Sequence, residues 1–396
     1  MSYHVAMQPV WMLAATQALC MSGNFLFFLL GGIIGAGLAP TPALATLPVS
    51  VLIVGLAASV LPAGRLIRRF GRRRVFAGSA LLAAIGCVGA GAAILAGSFS
   101  GFCAAAFLLG ANSAVVMQYR FASVEYVDPA HASRAIAIVM SGALVAAWLG
   151  PEFAVRTADL VGEVRYAGSF FAGSVLYLAA ALILARIADS VPAAQSDPGP
   201  PRRLAEIASQ PSFRVAVLAA LVSYAVMSFI MTATPISMHV VDGHDEVAAA
   251  RVIQFHLLGM YLPSLVTGML IARLGERLII AAGTLIMGAC IAIAIFAGHA
   301  VLHYLWALTL LGIGWNFMFI AATTLLTRTY RPAERIQAQT LNDFLVFGAQ
   351  ALASLMAGFA LATIGWRQLN VATLPLIAAV LIALAVTSRQ RRPLAA

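Results

Sequence analysis

The chain has 396 residues, of which 62% are hydrophobic and 10% charged, and its formal net charge is +10. A soluble domain carries roughly 25% charged residues, so this composition excludes an ordinary aqueous surface. All 24 basic residues are arginine, and they gather in short gaps between apolar runs, a placement that sets membrane orientation rather than nucleic-acid binding.

The apolar runs match the ~20 residues a helix needs to cross a bilayer. They are continuously apolar and lack period-two alternation, which disfavours a β-barrel. The predicted fold is an all-α membrane protein with twelve transmembrane helices, at 10–38, 41–63, 75–97, 99–122, 134–157, 166–188, 213–238, 248–271, 278–298, 302–327, 336–362 and 369–388. The first run imitates a signal peptide, since Ala43-Leu44-Ala45 resembles a cleavage site. The region before it lacks Arg and Lys and the run is too long for a signal core, so it reads as a retained span. Pro62, Pro151, Pro235, Pro263 and Pro375 fall inside spans, as is tolerated where neighbours satisfy the freed carbonyls. The longest polar gap runs from Asp189 to Ser212 and holds Asp197-Pro198-Gly199-Pro200-Pro201-Arg202-Arg203, the composition of a linker. Leu204 to Ser209 adds an amphipathic turn at the membrane surface. The expected organisation is a six-helix bundle over 1–190, a cytoplasmic linker over 191–212 and a second six-helix bundle over 213–396.

The motif Gly-x-Leu-Ile-x-Arg-x-Gly-x-Arg occurs twice. Gly64, Arg69, Gly71 and Arg73 of the first copy return as Gly268, Arg273, Gly275 and Arg277, each 204 residues later. Leu108-Leu109-Gly110 returns as Leu310-Leu311-Gly312, and Asp128-Pro129 as Arg331-Pro332. Three landmarks in one order point to duplication. With the N-terminus inside, 20 arginines fall on the inner side and only those at 156, 165, 251 and 367 on the outer. Both termini are therefore expected in the cytoplasm.

With these features the chain resembles the major facilitator superfamily over nearly its full length. Gly64 to Arg74 is similar to that family's signature loop between helices two and three. Gly142 to Pro151, ending Trp148-Leu149-Gly150-Pro151, is similar to the helix-five motif of its proton-coupled antiporters. Met231 to Pro235 and Gly314-Trp315-Asn316-Phe317 are similar to runs in bacterial members. Two positions depart from the pattern. The acidic residue usual at the fifth loop position is Arg68 here and Ala272 in the second copy. The mid-helix-four arginine of drug antiporters is absent, since Ala104-Ala105-Ala106 stands there and Arg120 lies near the inner end. The resemblance implies two pseudo-symmetric bundles that rock around a midplane site.

In the family helices one, four, seven and ten line the central cavity. Carried onto this chain, the substrate-binding candidates are Gln17, Asn24, Asn112, Tyr224, Ser228, Trp315 and Asn316. Amides, hydroxyls and an indole orient a neutral or weakly charged organic solute; the same residue types also bind helix to helix, and both readings stand. Glu152 and Asp343 are the carboxylates for proton coupling, since burial moves a carboxyl toward neutral titration. Structural pairing competes, because Glu152 and Arg156 are four apart on one helix. The helix contacts implied by the resemblance let Glu152 meet Arg251 or His256, and Asp343 meet Arg65 or Arg68, as two alternating gates. His256 is either a proton sensor or a packing histidine. Arg72-Arg73-Arg74 is a topology anchor and lipid-phosphate contact, and Glu125 balances Arg120 and that loop.

Cys20, Cys87, Cys103 and Cys290 are scattered in apolar runs without ligand spacing, so no metal and no cofactor is expected. A nucleotide-binding GxxxxGK[ST] loop and a His-Glu-x-x-His motif are both missing from the sequence, which disfavours an ATP-driven pump and an intramembrane enzyme. The expected activity is secondary active transport of a small organic solute, proton-coupled, by a monomer whose partners are that solute, protons and membrane lipids. A non-transporting sensor or scaffold on the same fold is the alternative.

Overall fold

The computed structural model of the chain describes residues 3–128, 131–162, 164–187 and 202–389. Among the described residues all regular structure is helical, the outcome lipid imposes on a chain whose backbone groups must find partners internally. The elements are α1 (Tyr3–Leu38), α2 (Leu47–Phe70), α3 (Arg72–Leu95), α4 (Phe99–Val116), α5 (Tyr119–Ser123), α6 (Ala132–Arg156), α7 (Ala167–Leu184), α8 (Leu204–Ser209), α9 (Pro211–Pro235), α10 (Glu246–Tyr261), α11 (Ser264–Leu274), α12 (Glu276–Phe296), α13 (Val301–Thr327), α14 (Arg335–Val371) and α15 (Leu374–Arg389). Hydroxyls inside the spans donate back to their own helix, as Ser22 does to the Ala18 carbonyl and Thr284 to that of Ile280, both at 2.7 Å. Large apolar side chains such as Phe296, Phe344 and Leu265 face outward, as a lipid environment requires.

Among the described residues eleven helical runs are long and apolar enough to cross a bilayer. The last, Gln337–Thr387, has 51 residues. At 1.5 Å per residue it would reach roughly 75 Å, over twice the ~30 Å hydrocarbon thickness. It is therefore two crossings, divided at Gly365, whose φ of 76° no helix accommodates, and at the turn before α15. The total is twelve.

Several expected boundaries shift for identifiable reasons. Span four ends its main helix at Val116 and continues as the short α5. Span eight breaks into α10 and α11 around Pro263, which has no N–H to continue the ladder. Pro235 is followed by a π-helical turn, Ile236–Val241. Pro375 sits in the first turn of α15 rather than in a span interior, where its missing N–H costs nothing. The linker prolines lie outside the described residues. The expected turn after them is α8, anchored by the buried Ile207.

By its contacts the chain divides into two compact units, Met1–Ala194 with His239–Gln254, and Gln195–Met238 with Phe255–Ala396. In the first unit α1 packs on α6, α7 and α4, while α4 packs on α2 and α3, and α3 on α7. In the second α9 packs on α14, α15 and α13, while α13 packs on α11 and α12, and α12 on α15. Shifting each helix by six spans turns one pairing scheme into the other. Phe27, Phe102 and Phe170 form the core of the first unit, with centroid distances of 5.2 to 5.7 Å.

The repeated motifs have repeated physical roles. Gly71 and Gly275 both take φ 81°, and each donates its N–H to the carbonyl four residues back, Ile67 or Ile271, at 2.9 Å. That conformation is left-handed, where glycine is the undemanding residue. Gly110 lies against the Leu52 carbonyl of α2, and Gly312 against the His256 carbonyl of α10. Arg72 makes a two-pronged ion pair with Glu125. Its counterpart 204 residues later is Glu276, which pairs with Arg328 at 2.5 Å. The duplicated contact persists with the charges exchanged. Glu125 thus meets the arginine loop, as the sequence suggests, through Arg72.

A further ion pair holds the start of α8. Glu334 is fully enclosed and accepts from the Arg202 side chain at 2.7 Å twice, and from the backbone N–H groups of Arg202 at 2.9 Å and Arg331 at 2.8 Å. The Arg202 guanidinium holds the Glu334 carboxyl well below the usual carboxylate range, and burial opposes it only partly. A depressed folded pKa contributes stability above the unfolded value of about 4.3, lost as pH falls toward the folded value. Glu334→Gln should therefore melt below the wild type at pH 7, with the gap narrowing below about pH 4. Thermal melts of both proteins across pH check this, and a gap independent of pH would refute it.

Candidate functional site

In the first unit the polar candidates lie on α1 and α4. Gln17 is 5% exposed; its amide nitrogen meets the Met21 sulfur at 3.3 Å, and its Oε1 is buried without a hydrogen-bond partner. Asn112 is fully buried beside the Cys20 thiol and makes no close N/O hydrogen bond. The Tyr119 hydroxyl is likewise buried and faces the same Cys20 thiol. Asn24 differs, because its Oδ1 accepts from the Tyr177 hydroxyl of α7 at 3.2 Å. Gly142 and Gly150 of the helix-five motif explain how α6 comes so close to α1. A Cβ at Gly142 would meet the Ala14 carbonyl at 2.5 Å, and one at Gly150 the Ser22 carbonyl at 2.7 Å.

In the second unit the candidates form an aromatic cluster. Tyr224 of α9 meets Trp315 at 5.2 Å, Phe319 at 4.9 Å and Phe347 at 5.7 Å, all edge to face. Trp315 stacks on Phe319 at 5.2 Å and meets Tyr261 at 6.5 Å. Trp315 is 5% exposed and its indole N–H is buried without a partner. The preceding Gly314 lets α13 close onto α12, since a Cβ there would meet Met287 at 2.7 Å and the Gly283 carbonyl at 2.9 Å. Ser228, one turn beyond Tyr224, is buried. Gln350 on α14 is buried and its Oε1 has no partner.

Asn316 takes the structural role. Its amide nitrogen donates to the Met260 carbonyl and the Ser264 hydroxyl, and its Oδ1 accepts from Thr267, all at 2.6 Å. Those bonds straddle the break at Pro263, so Asn316 caps the carbonyl that the broken span exposes. Asn24 and Asn316 follow the helix-binding reading, whereas Gln17, Trp315 and Gln350 keep a buried polar atom unmatched. An unmatched buried group is costly, which marks these three as candidates to meet a solute.

The carboxylate candidates are engaged differently. Glu152 pairs with Arg156 at 2.7 Å on its own helix, and Gln254 reaches it at 3.4 Å. Gln254 also donates to the Trp148 carbonyl at 3.1 Å and accepts from Arg251 at 3.2 Å, while the Arg251 guanidinium lies 4.9 Å above the Trp148 ring. Gln254 therefore stands between Glu152 and Arg251. His256 is fully buried, and its Nδ1 lies 2.8 Å from the Leu308 carbonyl while Nε2 has no partner. A carbonyl only accepts, so Nδ1 carries the proton and this bond ties α10 to α13. Asp343 is half-buried on α14 and accepts from the Asn342 amide at 3.1 Å. Arg65, Arg68, Arg69 and Arg73 are exposed at the α2–α3 turn, with Arg69 packed 5.1 Å from the Phe70 ring.

A second acidic centre forms around Glu246 in the first turn of α10, a favourable place for an anion. The Tyr166 hydroxyl donates to it at 2.5 Å, Arg165 pairs with it at 2.6 Å and His239 approaches at 3.6 Å. Burial and the Glu246 carboxylate raise the Tyr166 phenol, which stays a donor. Tyr166 is the one non-glycine with positive φ, 71°, among the described residues.

Sequence reasoning missed Tyr119, Gln254, Glu246, and the Phe319, Phe347 and Tyr261 rings around Trp315 and Tyr224. Phe319 had a usable signal, because it lies one turn after Trp315 on the same face. Gln254 and Gln350 were legible as amides in apolar runs. The strained Tyr166 carried no signal.

Comparison with known proteins agrees with this architecture. The model of the Major Facilitator Superfamily matches residues 12–256. The chain is 42% identical over 383 residues to the riboflavin transporter RfnT of Brucella anthropi, covering 96% of this chain and 95% of that protein. It is 30% identical to the uncharacterized MFS-type transporter YdeG of Bacillus subtilis, over 91% of this chain and 87% of that one. A solved structure of a bacterial homologue of the human lysosomal transporter Spinster, inward-facing and occupied, shares the fold with a TM-score of 0.73 at 18% identity, covering 96% of both chains.

Proposed function

Since this chain belongs to the major facilitator superfamily, and is thus a multi-pass membrane transporter of a small solute rather than an enzyme, we propose that its solute is riboflavin or a closely related flavin. The observation that carries this reading is the cluster of Tyr224, Trp315, Phe319 and Phe347. Offset and edge-to-face aromatic contacts suit a flat fused ring. Within the second unit, the buried and unmatched indole N–H of Trp315 supplies a hydrogen bond for one of its heteroatoms. Asn24 ties α1 to α7, Ser228 is buried on α9, and Asn316 holds span eight.

Transport is by alternating access of two six-helix halves, 1–190 and 213–396, joined through 191–212. It is driven by protons, as in an antiporter or symporter. Asp343 is the favoured proton carrier, because Asp343, Phe347 and Gln350 fall at i, i+4 and i+7 on one face of α14. Solute and proton then act on the same helix. Glu152 and Arg251, linked through Gln254, form the other gate candidate, and His256 keeps the packing role of its bond to Leu308. The arginine distribution supports a bacterial inner membrane with both termini cytoplasmic, and the exposed arginines at the α2–α3 turn meet lipid phosphates. The unit of function is a monomer.

The test is flux. Purified protein in liposomes should accumulate radiolabelled riboflavin, chemically unchanged, when a pH gradient is imposed, and collapse of the gradient should stop accumulation. Failure to move any flavin, alongside movement of an unrelated organic solute, would replace the substrate and leave the transporter class intact.

A further inference from the structure

The aromatic cluster of the second unit contains an unmatched donor and an unmatched acceptor. The donor is the Trp315 indole N–H, and the acceptor is Gln350 Oε1. Both residues are more than nine-tenths buried, at 5% and 8% exposure. Trp315 touches Tyr224, Tyr224 touches Phe347, and Gln350 lies three residues after Phe347 on α14, a spacing that puts both on one helix face. The register of α9 on α14 agrees. Tyr224 meets Phe347, and two turns further along Thr232 bonds to Ser354 at 3.2 Å. Gln350 lies between these two contacts. Tyr224, Tyr261 and Phe319 are only half-buried, so the cluster has an open side.

We propose that Trp315 and Gln350 together read the imide edge of a flat fused heteroaromatic ring, and so set which ring systems this transporter accepts. The inference rests on the flavin reading above and specifies its chemistry. An imide presents an N–H flanked by two carbonyls. The indole N–H donates to one carbonyl, and Gln350 Oε1 accepts from the imide N–H. Tyr224, Phe319 and Phe347 supply the ring contacts. A site of this kind rejects a ring lacking the matching group, because the protein's own buried atoms are then left unpaired. A bridging water is the competing occupant, since buried polar atoms are also met that way.

The experiment measures binding of riboflavin and N3-methylriboflavin to the purified full-length protein by quenching of flavin fluorescence. The wild type should bind the N3-methyl compound roughly 10- to 100-fold more weakly, the scale of one lost hydrogen bond to a buried group. In Gln350→Leu the difference should shrink to within about threefold, the coupling expected of groups in direct contact. Gln350→Met, closer in shape, should behave alike and guards against a folding defect in the leucine variant. Trp315→Phe should weaken both ligands about equally, since its donor faces a carbonyl that both possess. A wild-type preference that survives both Gln350 substitutions would overturn the assignment, as would equal binding of the two flavins by the wild type. Binding of neither flavin would overturn the flavin reading itself, a result distinct from the other two.

Discussion

Gly110→Ala is expected to remove most of the folded protein. Gly110 lies in α4 where that helix crosses α2, and an added Cβ would land on the Leu52 carbonyl, with the Leu56 N–H 2.9 Å away. Overpacking against movable side chains costs about 1–3 kcal/mol. Here the obstruction is backbone inside a hydrogen-bonded helix, so relief requires the two helices to separate along their contact. Membrane helices associate mainly through close packing, and a stability of roughly 5–15 kcal/mol leaves little reserve. The equivalent change Gly312→Ala should behave the same way, because a Cβ there meets the His256 carbonyl and comes within 2.9 Å of the Met260 N–H. Gly288→Ala in α12 is the control, since a Cβ there meets nothing within 4 Å. Size-exclusion of tagged protein in detergent reads the folded yield. Wild-type yield from Gly110→Ala would mean that α2 and α4 do not approach as described.

Asp343→Asn is expected to abolish proton-driven accumulation while preserving counterflow exchange. Asparagine keeps the size of the side chain, and its amide oxygen still accepts the Asn342 bond seen at 3.1 Å. It cannot take up or release a proton. A carboxylate inside a membrane span is costly to keep and marks proton or substrate pathways. If Asp343 carries the proton, removing its charge uncouples the gradient without closing the route for solute. Uptake into liposomes under an imposed pH gradient should fall to the level of empty vesicles. Exchange of labelled for unlabelled solute at symmetric pH should remain near the wild-type rate. Full gradient-driven uptake by the variant would dismiss Asp343 as carrier and return attention to Glu152. Loss of both activities would assign Asp343 to the solute site instead.

Fold class, span number and duplication were legible in the chain because each depends on local composition. Twenty apolar residues in lipid form a helix whatever surrounds them, since the backbone has no other partner there. The paired motifs were legible for a related reason. Gly71 and Gly275 adopt one left-handed conformation, which is a local demand, and the residues that tolerate it are few. The chain also announced its polar candidates, because amides and carboxylates are rare in such runs.

What those candidates do was decided only by the tertiary structure. Asn316 and Trp315 are sequence neighbours, yet one holds a broken span and the other keeps an unmatched donor in an aromatic cluster. Successive helix positions point about 100° apart, and which direction meets a partner depends on helices distant in sequence. Glu125 and Glu276 show the same limit. Each is an acid near an arginine-rich loop, but their partners Arg72 and Arg328 sit in mirrored places of the two repeats with the signs reversed. Composition records that charges are present, whereas the pairing follows from which helix ends the fold brings within a few ångströms.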